Sequence, residues 1–491
     1  MTEATSEPTP GGEGHLAGAR DPLAVLRDAR VIRARCAAIT AAVADARSGW
    51  FRLDRSRLPE AAARVAATTR RRHPDLDIPI HSRWRHFEAG GVDRKALLDA
   101  ALAPWSADER VRACLDLAVV SVLLDAGAGA QWRFDEAAAT LPSTALPAAR
   151  ASRDDLMAAL DAAAGPAAAD MTAAAASTAP GVVTGAMAMA APASTGPATP
   201  DPRLARSEGL AVASLHAFLA GVFSATDGQP CRVDAAALRQ VDAAVLRGVF
   251  QAGPSNPLPG LEGRAALLQR LGQTLQREAE RDGVPARPSL LLHRLTRGGA
   301  RGELAAAEML RELLRLLGPI WRSGSVVMGV PAGDVWPHRF AGGADGRGGD
   351  DPVTRGWVPF HKLTQWLCYS LLEPLHWAGI EVSGLDALTG LPEYRNGGLL
   401  IDTGVLVPRS GSAFERVWKP GDEFIVEWRA LTVTLLDELA TQVRAELGVN
   451  AARLPLARVL EGGTWVCGRE LAAELRDGAP PLRIDSDGTL F

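Results

Sequence analysis

A mainly α-helical fold with few short strands follows from two features of the sequence. Apolar residues return at helical spacing over long segments, and strand-like alternation is confined to short pieces such as GLLIDTGVLVP (398–408). The first periodic segment, residues 22–47, sets Leu23, Leu26, Val31, Ile32, Ile39 and Val43 among Arg and Asp, the pattern of an amphipathic helix. Pro59 stands at the opening of a second helix, LPEAAARVAATTRR, where its missing N–H is harmless. Helices follow at 94–104 and 107–125, and the latter is apolar nearly all round, which marks it as central. Periodicity resumes at 206–223, 237–250, 263–283 and 303–321. After a Gly/Asp-rich loop at 342–352 come FHKLTQWLCYSLLEPLHWAG and a long helix within EFIVEWRALTVTLLDELATQVRAELG.

Composition divides this helical chain. Residues 1–20 read as a disordered tail, 21–159 as an N-terminal helical part and 160–202 as a flexible Ala/Gly/Pro-rich insertion with almost no large apolar side chain to bury. Residues 203–491 form a C-terminal helical part expected to pack with 21–159 as one catalytic unit. With 22% charged residues and a net charge of −4 there is no chain-wide basic field, so nucleic acid is not an expected partner. The N-terminus lacks the basic-then-apolar order of a signal peptide, and no Leu-rich, charge-free stretch looks lipid-facing, so no membrane partner is expected. Cys36, Cys114, Cys231, Cys368 and Cys467 lie far apart without a C-x-x-C, which reads as reduced thiols in a cytoplasmic protein.

Several constellations have the residue types of a binding site. In IPIHSRWRHFEAGG (78–91), an extended backbone would put His81, Arg83 and Arg85 on one face, able to grip a phosphate, or to salt-bridge surface acids. Zinc is disfavoured for His81 and His86, because no further ligand sits at a recognisable spacing, and no cofactor is expected. In VLLDAGAGAQWRF (122–134) a helix ends at Asp125 before glycines and Trp132, an indole that either stacks on a ligand or packs in the core. GDVWPHR (333–339) offers Asp334 and Trp336 in a loop, where the acid either binds ribose hydroxyls or simply makes a turn.

Lys362 stands in the first turn of its helix, against the macrodipole, a misfit that suggests an anionic partner. GLPEYRNGG (390–398) sets Glu393, Tyr394 and Arg395 together; Glu393 is either a catalytic carboxylate or a turn acid paired to Arg395. Glu427 and Arg429 point to different faces of an otherwise apolar helix, so each needs a partner elsewhere. No G-x-S-x-G, Walker loop, H-E-x-x-H or paired C-x-x-C occurs, which removes the primary evidence for serine hydrolases, NTPases and zinc proteases.

The segments IPIHSRWRHFEAGG, RSEGLAVASLHAF, PFHKLTQWLCYSLLEPL, GLPEYRNGGLLIDTGVL and GGTWVCGRELAAE with PPLRIDSDGTLF strongly resemble a fungal and bacterial uracil-catabolism family long catalogued as a domain of unknown function. The resemblance runs from about residue 22 to 491, apart from the Ala-rich insertion. More distantly, the order FHKLTQW, LTGLPEYR and EFIVEWRALTV is similar to three segments of queuosine salvage proteins. That resemblance implies a helix-hairpin-helix, DNA-glycosylase-like architecture and hydrolysis of the N-glycosidic bond of a nucleoside 5′-monophosphate. It also puts Glu393 in the place of the catalytic aspartate and Lys362 in that of a helix-start lysine, with Glu for Asp and Asn-Gly-Gly in place of a proline-containing continuation.

Together the resemblances imply an N-ribosidase that takes a small phosphorylated riboside and splits a ribosylurea-type 5′-phosphate to urea and ribose 5-phosphate. Its expected catalytic groups are Glu393 and Lys362, with His81, Arg83, Arg85, Trp132, Asp334, Trp336, Tyr394, Arg395, Glu427 and Arg429 around the substrate. The competing readings are a hydrolase attacking the ureido or amide carbon and a non-catalytic nucleotide-binding protein.

Overall fold

The computed structural model describes residues 21, 23–125, 127–129, 131–139, 203–296, 303–322, 324–342 and 352–485, so the 1–20 tail and the 160–202 insertion lie outside the described residues. Helices dominate, and the described strands pair only two by two, as in Phe51–Leu53 against Leu406–Pro408 and Val335–Pro337 against Trp357–Pro359. The fold is mainly α.

Local chemistry accounts for the helix starts. Asp28 accepts from the backbone N–H of Arg30 to cap Ala29–Ala44, Pro59 opens Leu58–Arg72, and Ser106 caps Ala107–Leu123 through the Glu109 N–H. The Asp28 cap also shortens the helix expected at 22–47, whose first residues form a separate 3-10 turn, Val25–Arg27.

The 25-residue helix Glu423–Leu447 runs through the core, flanked by Ala29–Ala44, Leu58–Arg72 and Tyr394–Asp402. Ala107–Leu123, buried almost throughout its second half, packs on Lys362–Trp377 and Arg206–Leu219. One apolar cluster extends from Ala29 to Leu482 and draws on residues from both sides of the 140–202 stretch. Among the described residues no helix is long and apolar enough to cross a membrane.

Three sequence expectations of local structure are corrected. The 398–408 run is not a strand throughout: Tyr394–Asp402 is helical and only Leu406–Pro408 is extended. Tertiary packing decides this, because Glu393 caps the helix and its glycine-rich surface lets neighbours in. A Cβ on Gly397 would lie 2.6 Å from the Trp428 ring, and one on Gly468 of the packed helix Trp465–Arg476 would lie 2.2 Å from the Arg395 carbonyl oxygen. Residues 237–250 form two short helices, Ala235–Leu238 and Ala243–Val249, since Asp242 caps the second through the Val245 N–H. Arg83–Phe87 is a single helical turn rather than extended backbone, so Arg83 and Arg85 diverge instead of sharing a face.

Candidate active site

The first residues of three helices meet at one cavity: Arg206 and Ser207 of Arg206–Leu219, Lys362 of Lys362–Trp377, and Tyr394 of Tyr394–Asp402, preceded by its cap Glu393. The cavity measures about 420 Å³, within the range of small-molecule sites. Glycine-rich backbone at Gly127–Gly129 forms another side, and the loop carrying Asp477, Ala479, Pro480, Leu482 and Ile484 covers it. Arg483–Ile484 is held by a parallel pairing with Val417–Trp418.

Glu393 is held by its own helix. One carboxylate oxygen accepts from the Arg395 N–H at 2.8 Å and the other from the Asn396 N–H at 2.6 Å. Each oxygen keeps a further lone pair for the cavity. Burial pushes this carboxyl up to about 7, against the pull of the Asn396 N–H and the charge of Lys362.

Lys362 enters its helix after His361, which takes a left-handed conformation (φ 49°) and gives no side-chain cap. Its ammonium has no hydrogen-bond or ion-pair partner among the described residues, although Glu393 and Asp125 face it. Burial lowers the lysine pKa, and those two acids oppose the shift. The misfit seen in the sequence therefore has acidic company, yet its N–H donors are uncommitted. Asp125 is itself pushed up by burial, against Arg83 and Lys362.

Residues 25–150 and 194–491 match a family described as proteins of unknown function (DUF1688). The chain belongs to that family. Two relatives extend the likeness over most of the sequence. "Protein urg3" of Schizosaccharomyces pombe is 34% identical over 454 residues, covering 90% of this chain and 92% of that protein. "Uracil catabolism protein 4" of Lachancea kluyveri is 32% identical over 444 residues, covering 84% and 85%.

Of the residues singled out in this family member's sequence, Glu393, Lys362, His81 and Tyr394 line the cavity. Arg395 stands behind it, its guanidinium over the Tyr394 ring and its Nη1 3.5 Å from the Gly478 carbonyl oxygen. Arg83 lies outside, fully engaged: it donates to the Asp125 carboxylate at 2.5 Å, to the Ser121 hydroxyl and carbonyl, and to the Ser207 carbonyl. Arg85 turns away to Glu373 and Glu88. Trp132 is a core residue, its N–H donated to the Phe250 carbonyl.

Asp334, Trp336 and Arg429 form a brace under the site. Arg429 grips Asp334 through two hydrogen bonds, at 2.6 and 2.8 Å, and reaches the Pro392 carbonyl just before Glu393. Asp334 also accepts from the Trp336 indole and from the Lys362 backbone N–H. The brace thus ties the start of the lysine helix to the turn carrying Glu393. Glu427 is farther back, accepting from Ser48 at 2.5 Å with His338 at 3.3 Å.

His86, Asp125, Arg206, Ser207, Trp366, Trp465 and Asp477 line the cavity without having been assigned from sequence. Most of them lie in the family-like segments already quoted, which is the signal that could have found them.

Proposed function

We propose that this protein is an N-ribosyl hydrolase of uracil catabolism that cleaves a ribosylurea-type 5′-phosphate to urea and ribose 5-phosphate. The observation that carries the reading is the meeting, at one cavity, of a buried carboxyl poised near 7 and an uncommitted lysine at three helix starts. The name of the Lachancea kluyveri relative supports the pathway.

In this reading ionised Glu393 orients a water at C1′ and stabilises the positive charge that develops there in an oxocarbenium-like transition state. The water oxygen bonds to C1′ and the C1′–N bond breaks. Its electron pair leaves with the nitrogen, which takes a proton, so the water supplies a hydroxyl to ribose and a hydrogen to urea. Arg395 and Asn396 N–H groups fix the carboxylate without consuming all its lone pairs.

The 5′-phosphate is assigned to Arg206, Lys362 and the first N–H groups of Arg206–Leu219, a 14-residue helix with no side-chain cap. Arg206 keeps one nitrogen on the Gly478 carbonyl at 3.0 Å, which holds the guanidinium beside the cavity. This replaces Arg83 and Arg85 in the phosphate role, since neither lines the cavity and their guanidiniums are engaged by Asp125 and Glu373.

The test is incubation of the purified protein with ribosylurea 5′-phosphate and a panel of nucleoside monophosphates, followed by identification of products by mass. Urea and ribose 5-phosphate are expected. Ammonia with carbon dioxide or a carbamate would assign attack at the ureido carbon instead, and binding without product would make the protein a nucleotide-binding component.

A further inference from the structure

One wall of the cavity carries two imidazoles between two indoles. The His81 and His86 ring centroids are 6.4 Å apart, and both rings lie within 6.4 Å of Trp366 and 5.9 Å of Trp465. All four residues line the cavity.

The two histidines are held from behind by groups of opposite charge. Arg83 Nη1 lies 3.2 Å from His86 Nδ1. A guanidinium can only donate, so His86 Nδ1 holds a lone pair and its proton sits on Nε2. Burial and the neighbouring Arg83 push His86 well below the usual imidazole range, which keeps the ring neutral. Glu461 Oε2 lies 2.7 Å from His81 Nδ1. Burial pushes the Glu461 pKa up, but the hydrogen bond and electrostatic pull of His81, together with Arg72 and Arg85, outweigh it and keep the carboxylate ionised. An ionised carboxylate only accepts, so His81 carries a proton on Nδ1, and its Nε2 is the nitrogen left free of Glu461. Neither Nε2 has a hydrogen-bond partner among the described residues.

We propose that His86 Nε2–H and His81 Nε2 form a paired donor and acceptor that recognises a ureido or amide group, carbonyl on one side and N–H on the other, and so selects the leaving group. This rests on reading the cavity as an N-ribosidase site. The flanking indoles suit a flat group, and Arg83 becomes a positioning residue, since it shares one helical turn with His86 at i, i+3. Opposite tautomers on adjacent rings discriminate strongly, because a ligand lacking either function leaves a buried polar atom unpaired.

The experiment uses the Glu393→Gln protein, which holds substrate without turning it over, and reads the imidazole nitrogens by ¹⁵N NMR. His86 is expected as the Nε2–H tautomer and His81 as the Nδ1–H tautomer. Adding ribosylurea 5′-phosphate shifts both Nε2 resonances, whereas ribose 5-phosphate, which has no ureido group, moves neither. Affinity gives a second measure: His86→Phe and His81→Phe each weaken binding of the ureide about tenfold or more while leaving ribose 5-phosphate affinity unchanged. His86→Gln, which restores an N–H donor, recovers part of the loss.

A His86 proton on Nδ1, protons on both His81 nitrogens, equal shifts with ribose 5-phosphate, equal weakening of both ligands, or no ureide binding overturns the proposal. Its fate is separable from that of the reaction. If wild-type protein releases no urea while the ureide still moves both resonances, the hydrolase reading falls and the recognition pair stands. Urea release with histidine variants that do not discriminate gives the converse.

Discussion

Asp334 and Glu393 are both buried carboxylates beside helix starts, yet their surroundings shift them in opposite directions. Burial pushes Asp334 up, but the paired hydrogen bonds and charge of Arg429, with the Lys362 N–H and the Trp336 indole, overcome it and hold the carboxyl at about 2. For Glu393 burial wins: the Asn396 N–H and the charge of Lys362 oppose it and still leave the carboxyl at about 7. The contrast shows that donor supply, not burial, separates a bracing acid from one available for chemistry.

The sharpest way to break the contrast is to neutralise each acid system. Glu393→Gln should lower turnover by about 10²–10⁴-fold, the span of a lost acid–base group, while ligand binding and circular dichroism stay close to wild type. Near-wild-type turnover would remove Glu393 from the chemistry. Arg429→Ala should act on the fold instead, costing about 3–5 kcal/mol in denaturant unfolding because Asp334 remains buried without its partner. Replacing the pair together, Asp334→Asn with Arg429→Met, should recover part of that loss. An Arg429→Ala protein of unchanged stability would show that the brace carries no weight.

The two acids also predict opposite pH behaviour. Between its unfolded value near 4.5 and its folded value near 7, Glu393 binds a proton more tightly in the folded state, so stability falls as pH rises through that window. The difference amounts to about 3 kcal/mol, and Glu393→Gln, which does not titrate, should lack it when unfolding is compared at low and high pH. Asp334 does the reverse: its contribution is full above the unfolded aspartate value and is lost as pH falls towards about 2. On the catalytic side, kcat/KM should rise with pH through about 7 as Glu393 ionises. Lys362→Met, which removes a charge that favours ionisation, should move that limb to higher pH.

Helix periodicity and caps were legible because they depend on neighbours in sequence: Pro59 opened its helix where expected and the 107–125 segment proved central. Lys362 drew notice for a similar local reason, its place against a helix dipole, whereas Glu393 read on spacing as a turn acid and became the leading candidate only through the resemblance of its segment to a known family. What was not legible depended on distant partners. Nothing near Arg83 reveals that Asp125, 42 positions on, takes its guanidinium, or that Arg429 reaches back 95 positions to Asp334. The helix Tyr394–Asp402 was hidden for the same reason, since Gly397 reads as a turn until Trp428 fills the space beside it.

The smallest expected effect discriminates between two arginines that the sequence alone could not separate. Arg206 borders the cavity and keeps only part of its guanidinium on Gly478, whereas Arg83 is buried and matched to Asp125. Arg206→Ala should therefore raise KM for the 5′-phosphorylated substrate about tenfold, the worth of one charge-assisted hydrogen bond, with kcat little changed and the unphosphorylated riboside unaffected. Arg83→Ala should instead weaken phosphorylated and unphosphorylated substrates alike and lower the unfolding midpoint, because it strands Asp125 and frees His86. If phosphate selectivity follows Arg83 and not Arg206, the anion sits on the opposite side of the cavity wall, and the assignment of the three helix starts to the phosphate must be abandoned.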